Sequence, residues 1–82
     1  MPTVDWIDGL RVVVYPNDHR PAHVHVIGGG CEAVFNLRCP DGPPELRENH
    51  GFSRSEIRGM KSALRRQLTR ICEGWYEIHG YY

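Results

Sequence analysis

The stretch Ala22-His23-Val24-His25-Val26-Ile27-Gly28-Gly29-Gly30-Cys31-Glu32-Ala33-Val34-Phe35-Asn36-Leu37 decides the fold. Two runs rich in β-branched and aromatic residues flank three glycines, which reach positive φ without steric cost. That pattern predicts a β-hairpin with strands over 22–27 and 31–37. Side chains alternate along a strand. Val24, Val26, Ala33, Phe35 and Leu37 therefore share one face, and His23, His25, Glu32 and Asn36 share the other.

Working upstream, residues 10–15 (Leu-Arg-Val-Val-Val-Tyr) form a third strand between two turn signals, Asp8-Gly9 and Pro16-Asn17-Asp18. Its inward pair is Val12 with Val14 or Val13 with Tyr15. Downstream, Pro40, Gly42, Pro43 and Pro44 mark a loop. Glu45-Leu46-Arg47 is a weakly signalled fourth strand. Ser53-Arg54-Ser55-Glu56 then matches a capping box, with Ser53 as the N-cap. Behind it Ile57, Met60, Leu64, Leu68, Ile71, Trp75 and Ile78 recur at gaps of three or four, the spacing of one helical face. Gly80 ends the helix. Gly59 and Gly74 weaken it, and a bend or a close contact is expected there. The expected fold is α+β, a three- or four-stranded antiparallel sheet with one long C-terminal helix packed across one face.

At 82 residues the chain has room for a single domain, 1–82. Its 40% hydrophobic and 24% charged content is that of an ordered soluble protein. The net charge is zero, so a globally basic nucleic-acid coat is excluded while a local patch is not. No apolar run approaches the roughly 20 residues needed to span a bilayer. The acidic N-terminal stretch lacks an apolar segment, so no membrane association and a cytoplasmic location are expected. Cys31, Cys39 and Cys72 are odd in number and form no CxxC pair, so they read as thiols rather than as a disulfide framework.

Chemistry concentrates in Asn17-Asp18-His19-Arg20-Pro21-Ala22-His23-Val24-His25. The Cα atoms of His23 and His25 lie about 6.5–7 Å apart on one side of an extended strand. With Val24 and Val26 turned to the helix, the imidazoles are expected on the far, exposed face, beside Glu32 and Asn36. Asp18 and His19 arrive from the turn. Imidazole changes charge near neutral pH, and a carboxylate can hold its tautomer. His23, His25, Asp18, His19 and Glu32 are therefore the candidate catalytic residues. One histidine would accept a proton and another donate one, for instance at an RNA phosphodiester, with Arg20 or Arg38 meeting the phosphate. Alternatively, His23 and His25 offer two imidazoles to one divalent ion, completed by His19, Asp18 or Glu32. A structural reading stands beside both, because Asp at a strand end commonly bonds the backbone and fixes the turn.

The helix is electrically lopsided. Between residues 54 and 70, Arg54, Arg58, Lys61, Arg65, Arg66 and Arg70 face only Glu56, a local charge of +5. Arg54, Arg58, Lys61 and Arg65 follow gaps of four, three and four and form one ridge. It is a solvated face or a docking strip for nucleic acid or an acidic partner.

The run from Gly9 through Asp18-His19, Pro21 and His23-Val24-His25, then a glycine turn and Glu32-Ala33, resembles the bacterial domain of unknown function numbered 4160. The resemblance extends to the terminal helix. It implies that Asp18, His19, Pro21, His23, His25 and Glu32 are signature positions. It also implies an association of toxin–antitoxin type, in which a small module binds RNA or a partner protein. The Gly28-Gly29-Gly30 turn and the loop from Pro40 to Pro44 depart from that pattern. The leading expectation is thus an RNA- or partner-binding module working through its histidine-rich strand. The alternative is a divalent-metal or purely protein-interaction domain without catalysis. No cofactor is assigned beyond that metal. For a protein partner, the aromatic C-terminus (Trp75, Tyr76, Tyr81, Tyr82) is the first surface to consider.

Overall fold

Period-2 alternation and tight turns lay down a five-stranded antiparallel meander in the computed structural model, which describes residues 3–82. The strands are β1 (Thr3–Ile7), β2 (Leu10–Val13), β3 (His23–Gly28), β4 (Cys31–Asn36) and β5 (Glu45–His50), ordered in space as in sequence. Two helices follow, α1 (Arg54–Arg66) and α2 (Leu68–His79). The α+β class holds, with five strands where three or four were expected and two helices where one was expected. No helix among the described residues is long and apolar enough to cross a membrane.

The turns are built as the sequence indicates. Asp8 and Gly9 (φ 48° and 81°) close the β1–β2 hairpin, and Gly29 and Gly30 (58° and 79°) close the β3–β4 hairpin. Positive φ at both central residues gives turns whose twist matches that of the flanking strands. Strand β1 escaped the reading because Asp5 interrupts its apolar run, and β5, signalled only weakly over Glu45-Leu46-Arg47, runs on to His50 with all six of its residues exposed. An edge strand of Glu, Arg, Asn and His carries no hydrophobic alternation to detect, and its charges discourage pairing with another chain.

Both expected helix ends are present. The Ser53 hydroxyl accepts from the Glu56 N–H at 3.0 Å, and the Ser53 N–H donates to Glu56 Oε1 at 2.8 Å. Gly80 is left-handed at φ 77° and its N–H bonds Tyr76 O. The helix nevertheless breaks at Gln67 (φ −106°, ψ 11°), not at either glycine. A 3.6-residue stripe does not register such a break, because the same face continues through Leu64, Leu68, Ile71 and Trp75. Gly74 does mark a close approach, since a Cβ there would lie 3.0 Å from Val4 of β1. At Gly59 a Cβ would meet nothing.

The break coincides with Asp5. Its Oδ2 accepts from Gln67 Nε2 at 2.7 Å and from Arg70 Nε at 3.0 Å, and Oδ1 accepts from Arg70 Nη2 at 3.2 Å. One carboxylate of β1 thereby fastens the hinge between the helices. Between the sheet and the helices lie Val12, Val14, Val24, Val26, Ala33, Phe35 and Leu37, which settles the β2 alternative in favour of Val12 and Val14. They meet Ile57, Met60, Leu64, Ile71 and Trp75.

The cysteine expectation is overturned for two of the three. Cys39, beyond β4, is bonded to Cys72 of α2, and Cys31 is free. The partners are 33 residues apart, one in a loop and one in a helix, and only the tertiary fold brings them together.

Two outcomes follow for stability. Burial acts to raise the Asp5 pKa, but the N–H groups of Trp6, Gln67 and Arg70 outweigh it and hold the carboxyl below its ordinary range. A depressed folded-state pKa stabilises above the unfolded value of about 3.9, and that contribution disappears as pH falls through the folded-state value. Asp5→Ala should cost about 1–2 kcal/mol at neutral pH in urea unfolding, and the deficit should shrink below about pH 4. In the same assay, reducing the Cys39–Cys72 bond should lower stability by roughly 3–4 kcal/mol, as expected for closing a loop of this length, and should leave a Cys39→Ser/Cys72→Ser variant unmoved.

Candidate functional site

The site begins with a turn. The Asp18 N–H donates to Tyr15 O at 3.0 Å, and the Tyr15 N–H donates to Asp18 Oδ2 at 3.1 Å. The structural role expected for Asp18 is therefore present, and it fixes where the carboxylate stands. The chain then returns through Pro21 into β3, where His23 and His25 project to one side with ring centroids 5.4 Å apart. Glu32 of β4 pairs with Ile27, which makes it the diagonal neighbour of His25 on that face.

Each imidazole is held from behind. His23 Nδ1 lies 2.9 Å from the carbonyl of Pro21, and His25 Nδ1 lies 2.9 Å from Glu32 Oε2. A carbonyl and a carboxylate only accept, so both Nδ1 atoms carry the proton in the neutral rings. Both Nε2 atoms then present lone pairs, and both face the same oxygen. Asp18 Oδ2 is 3.4 Å from His23 Nε2 and 3.3 Å from His25 Nε2. His25 Nε2 is buried and has no hydrogen-bond partner despite this approach. The three atoms lie within 4.8 Å of one another.

Charge points the same way. Two carboxylates, Asp18 and Glu32, flank two imidazoles in a setting where His23 is 5% exposed and the Asp18 side chain 16%. With both rings neutral, neither carboxylate has a Lys or Arg within 4 Å among the described residues, and the Glu32 side chain, 42% exposed, is eased by water where Asp18 is not. The poorly solvated charge of Asp18 is the one that gains from a counter-charge.

The expectation of an exposed histidine surface is corrected by these contacts. The pair does lie opposite Val24 and Val26, but it is covered. The Tyr15 ring stands edge-on to His25 at 4.6 Å. Pairing between β2 and β3 ends at Val13 with His25, so no β2 side chain flanks His23. The fully buried Trp75 indole of α2 takes that place, 5.3 Å from the His23 ring, with His79 stacked behind it at 4.0 Å.

The structure thus brings together Asp18, His23, His25 and Glu32. His19 is exposed and stands outside the group of converging ligand atoms. Asn36 lies across from His23. Arg20 and Arg38 are engaged elsewhere, Arg20 over the Tyr81 ring at 4.8 Å and Arg38 against Glu45 at 3.5 Å. Arg54, Arg58, Lys61 and Arg65 are exposed on α1, away from this cluster. The sequence reading missed Tyr15 and Trp75 as walls and the Pro21 carbonyl as an acceptor. Alternation assigns faces to strand residues but does not report which loop or helix closes over them.

A family model described as Domain of unknown function (DUF4160) matches residues 9–76. No curated protein and no solved structure matches the chain. The matched span runs from the β1–β2 turn into α2 and contains Asp18, His23, His25 and Glu32, and this chain belongs to the DUF4160 family.

Proposed function

We propose that the chain is a divalent-metal-binding domain in which Asp18 Oδ2, His23 Nε2 and His25 Nε2 hold one transition-metal ion. The observation that carries this reading is the orientation of the imidazoles. Each gives its Nδ1 proton to a protein acceptor and turns an unpartnered nitrogen toward the same carboxylate oxygen. Metal-ligating histidines are held in this way, by a carbonyl or carboxylate behind the ring. The 3.3 and 3.4 Å separations match the edge of a tetrahedron with bonds of about 2.0–2.1 Å. A dication also balances Asp18 and Glu32. Two imidazoles and one carboxylate suit zinc, iron or nickel better than magnesium or calcium, which prefer oxygen alone, and they leave coordination positions for water or a substrate.

Burial weighs against direct RNA contact by the histidines, since His23 is closed in by Trp75 and the Tyr15–Asp18 turn. A module of toxin–antitoxin type would meet RNA or a partner on another surface.

Cobalt(II) or zinc titration of the folded protein should saturate at one ion per chain. Asp18→Asn and His25→Ala should weaken binding at least tenfold with the circular dichroism spectrum retained, while His19→Ala and His50→Ala leave it unchanged. Glu32→Gln should weaken binding about tenfold or more by releasing the His25 ring. Absence of saturable binding, or equal binding by all variants, would remove the reading. Independently, nitrogen NMR of the apo protein at about pH 9 should show both His23 and His25 protonated on Nδ1 rather than on Nε2, where free histidine prefers its proton.

A further inference from the structure

We infer that the exposed ridge of α1 is a docking strip for the phosphate backbone of a nucleic-acid duplex, bound without reading its sequence. Arg54, Arg58, Lys61 and Arg65 are all exposed, and none has a carboxylate within 4 Å among the described residues. On a helix rising 1.5 Å per residue they stand about 6, 4.5 and 6 Å apart along the axis, a straight row about 16 Å long. Arg66 is exposed next to them, its guanidinium bonded to the neutral Ser62 hydroxyl rather than to an acid. Arg70 is excluded from the row because Asp5 holds it. The one acid of α1, Glu56, turns back to cap the Ser53 N–H.

Three features select the occupant. The protein as a whole is neutral, so this is a local patch, and long-range attraction of any polyanion to the chain is weak. A protein partner needs an apolar or aromatic centre to its interface. The exposed large hydrophobics are Trp6, Leu46, Tyr76, Tyr81 and Tyr82, and none of them lies on α1. Single-stranded nucleic acid is held by aromatic platforms on which bases stack, and these too are missing from the ridge. What the ridge offers is a rigid row of cations, three of them guanidiniums whose planar fork matches phosphate oxygens. That is the chemistry of backbone contact alone, which positions a duplex but does not specify its bases.

The test is fluorescence anisotropy with a labelled 20-base-pair duplex of arbitrary sequence, in DNA and RNA versions, with a chelator present so that the outcome is independent of any metal. Binding should be measurable at 50 mM salt. The slope of log affinity against log salt should be about −3 to −4, as for roughly four phosphates neutralised. Arg58→Glu/Lys61→Glu should lose at least tenfold in affinity and flatten the slope, while Arg47→Glu on the exposed β5 edge should change little. Preference for one duplex over the other identifies which backbone fits and supports the inference in either case. No binding by the wild type, equal binding by the ridge variant, or tighter binding of a single strand or an acidic peptide would overturn it.

Discussion

The central strand β3 has to satisfy two faces at once, and the rest of the molecule is arranged around that constraint. Val24 and Val26 go into the core beneath the helices, fully buried. The same alternation sends His23 and His25 to the other side, where a fully exposed polar surface would be the simplest solution. The chain instead covers them. The Tyr15–Asp18 turn folds a carboxylate and an aromatic ring over one flank, and Trp75 reaches the other. Burying imidazoles costs free energy unless every nitrogen finds a partner. The Nδ1 atoms have theirs in Pro21 and Glu32. The Nε2 atoms both face the Asp18 carboxylate, which offers no donor, and that unfinished bonding is what the proposed cation would complete.

The helical layer is secured to the sheet by two fastenings of different kinds. Asp5 gathers Gln67 and Arg70 at the kink, where the backbone departs from helical dihedrals while Gln67 still bonds Ala63 and Ile71. The Cys39–Cys72 bond ties the loop after β4 to the middle of the layer. Both act on α2, the element that carries Trp75. A small domain with a thin core gains from such cross-ties, and these two keep the wall of the histidine cluster in register with the strand that bears it.

Much of this was legible in the residues. The β3–β4 hairpin, the identity of the core face, the capping box and the left-handed Gly80 follow from local rules, and the local rules agree with the fold. The grouping of His23, His25 and Glu32 also followed, since it needs only strand parity. The failures share a cause. Strand β1 with its Asp5, the break at Gln67, the pairing of Cys39 with Cys72 and the cover over His23 all depend on residues far apart in sequence. Asp5 reads as a flaw in a strand until Gln67 and Arg70 are seen around it. His19 looked equivalent to its neighbours because turn geometry, unlike strand parity, does not tell which side chain points inward.

The two indoles occupy opposite extremes of environment. Trp6 is more than half exposed, whereas Trp75 is fully enclosed, its Nε1–H bonded to the Tyr81 carbonyl at 2.6 Å and its ring against His23. The chain therefore carries an internal optical reporter and an external reference in the same molecule. With excitation confined to the indoles, a soluble quencher darkens Trp6, and the tryptophan emission that survives comes from the indole beside the imidazole cluster, so events at that cluster are visible without any added label.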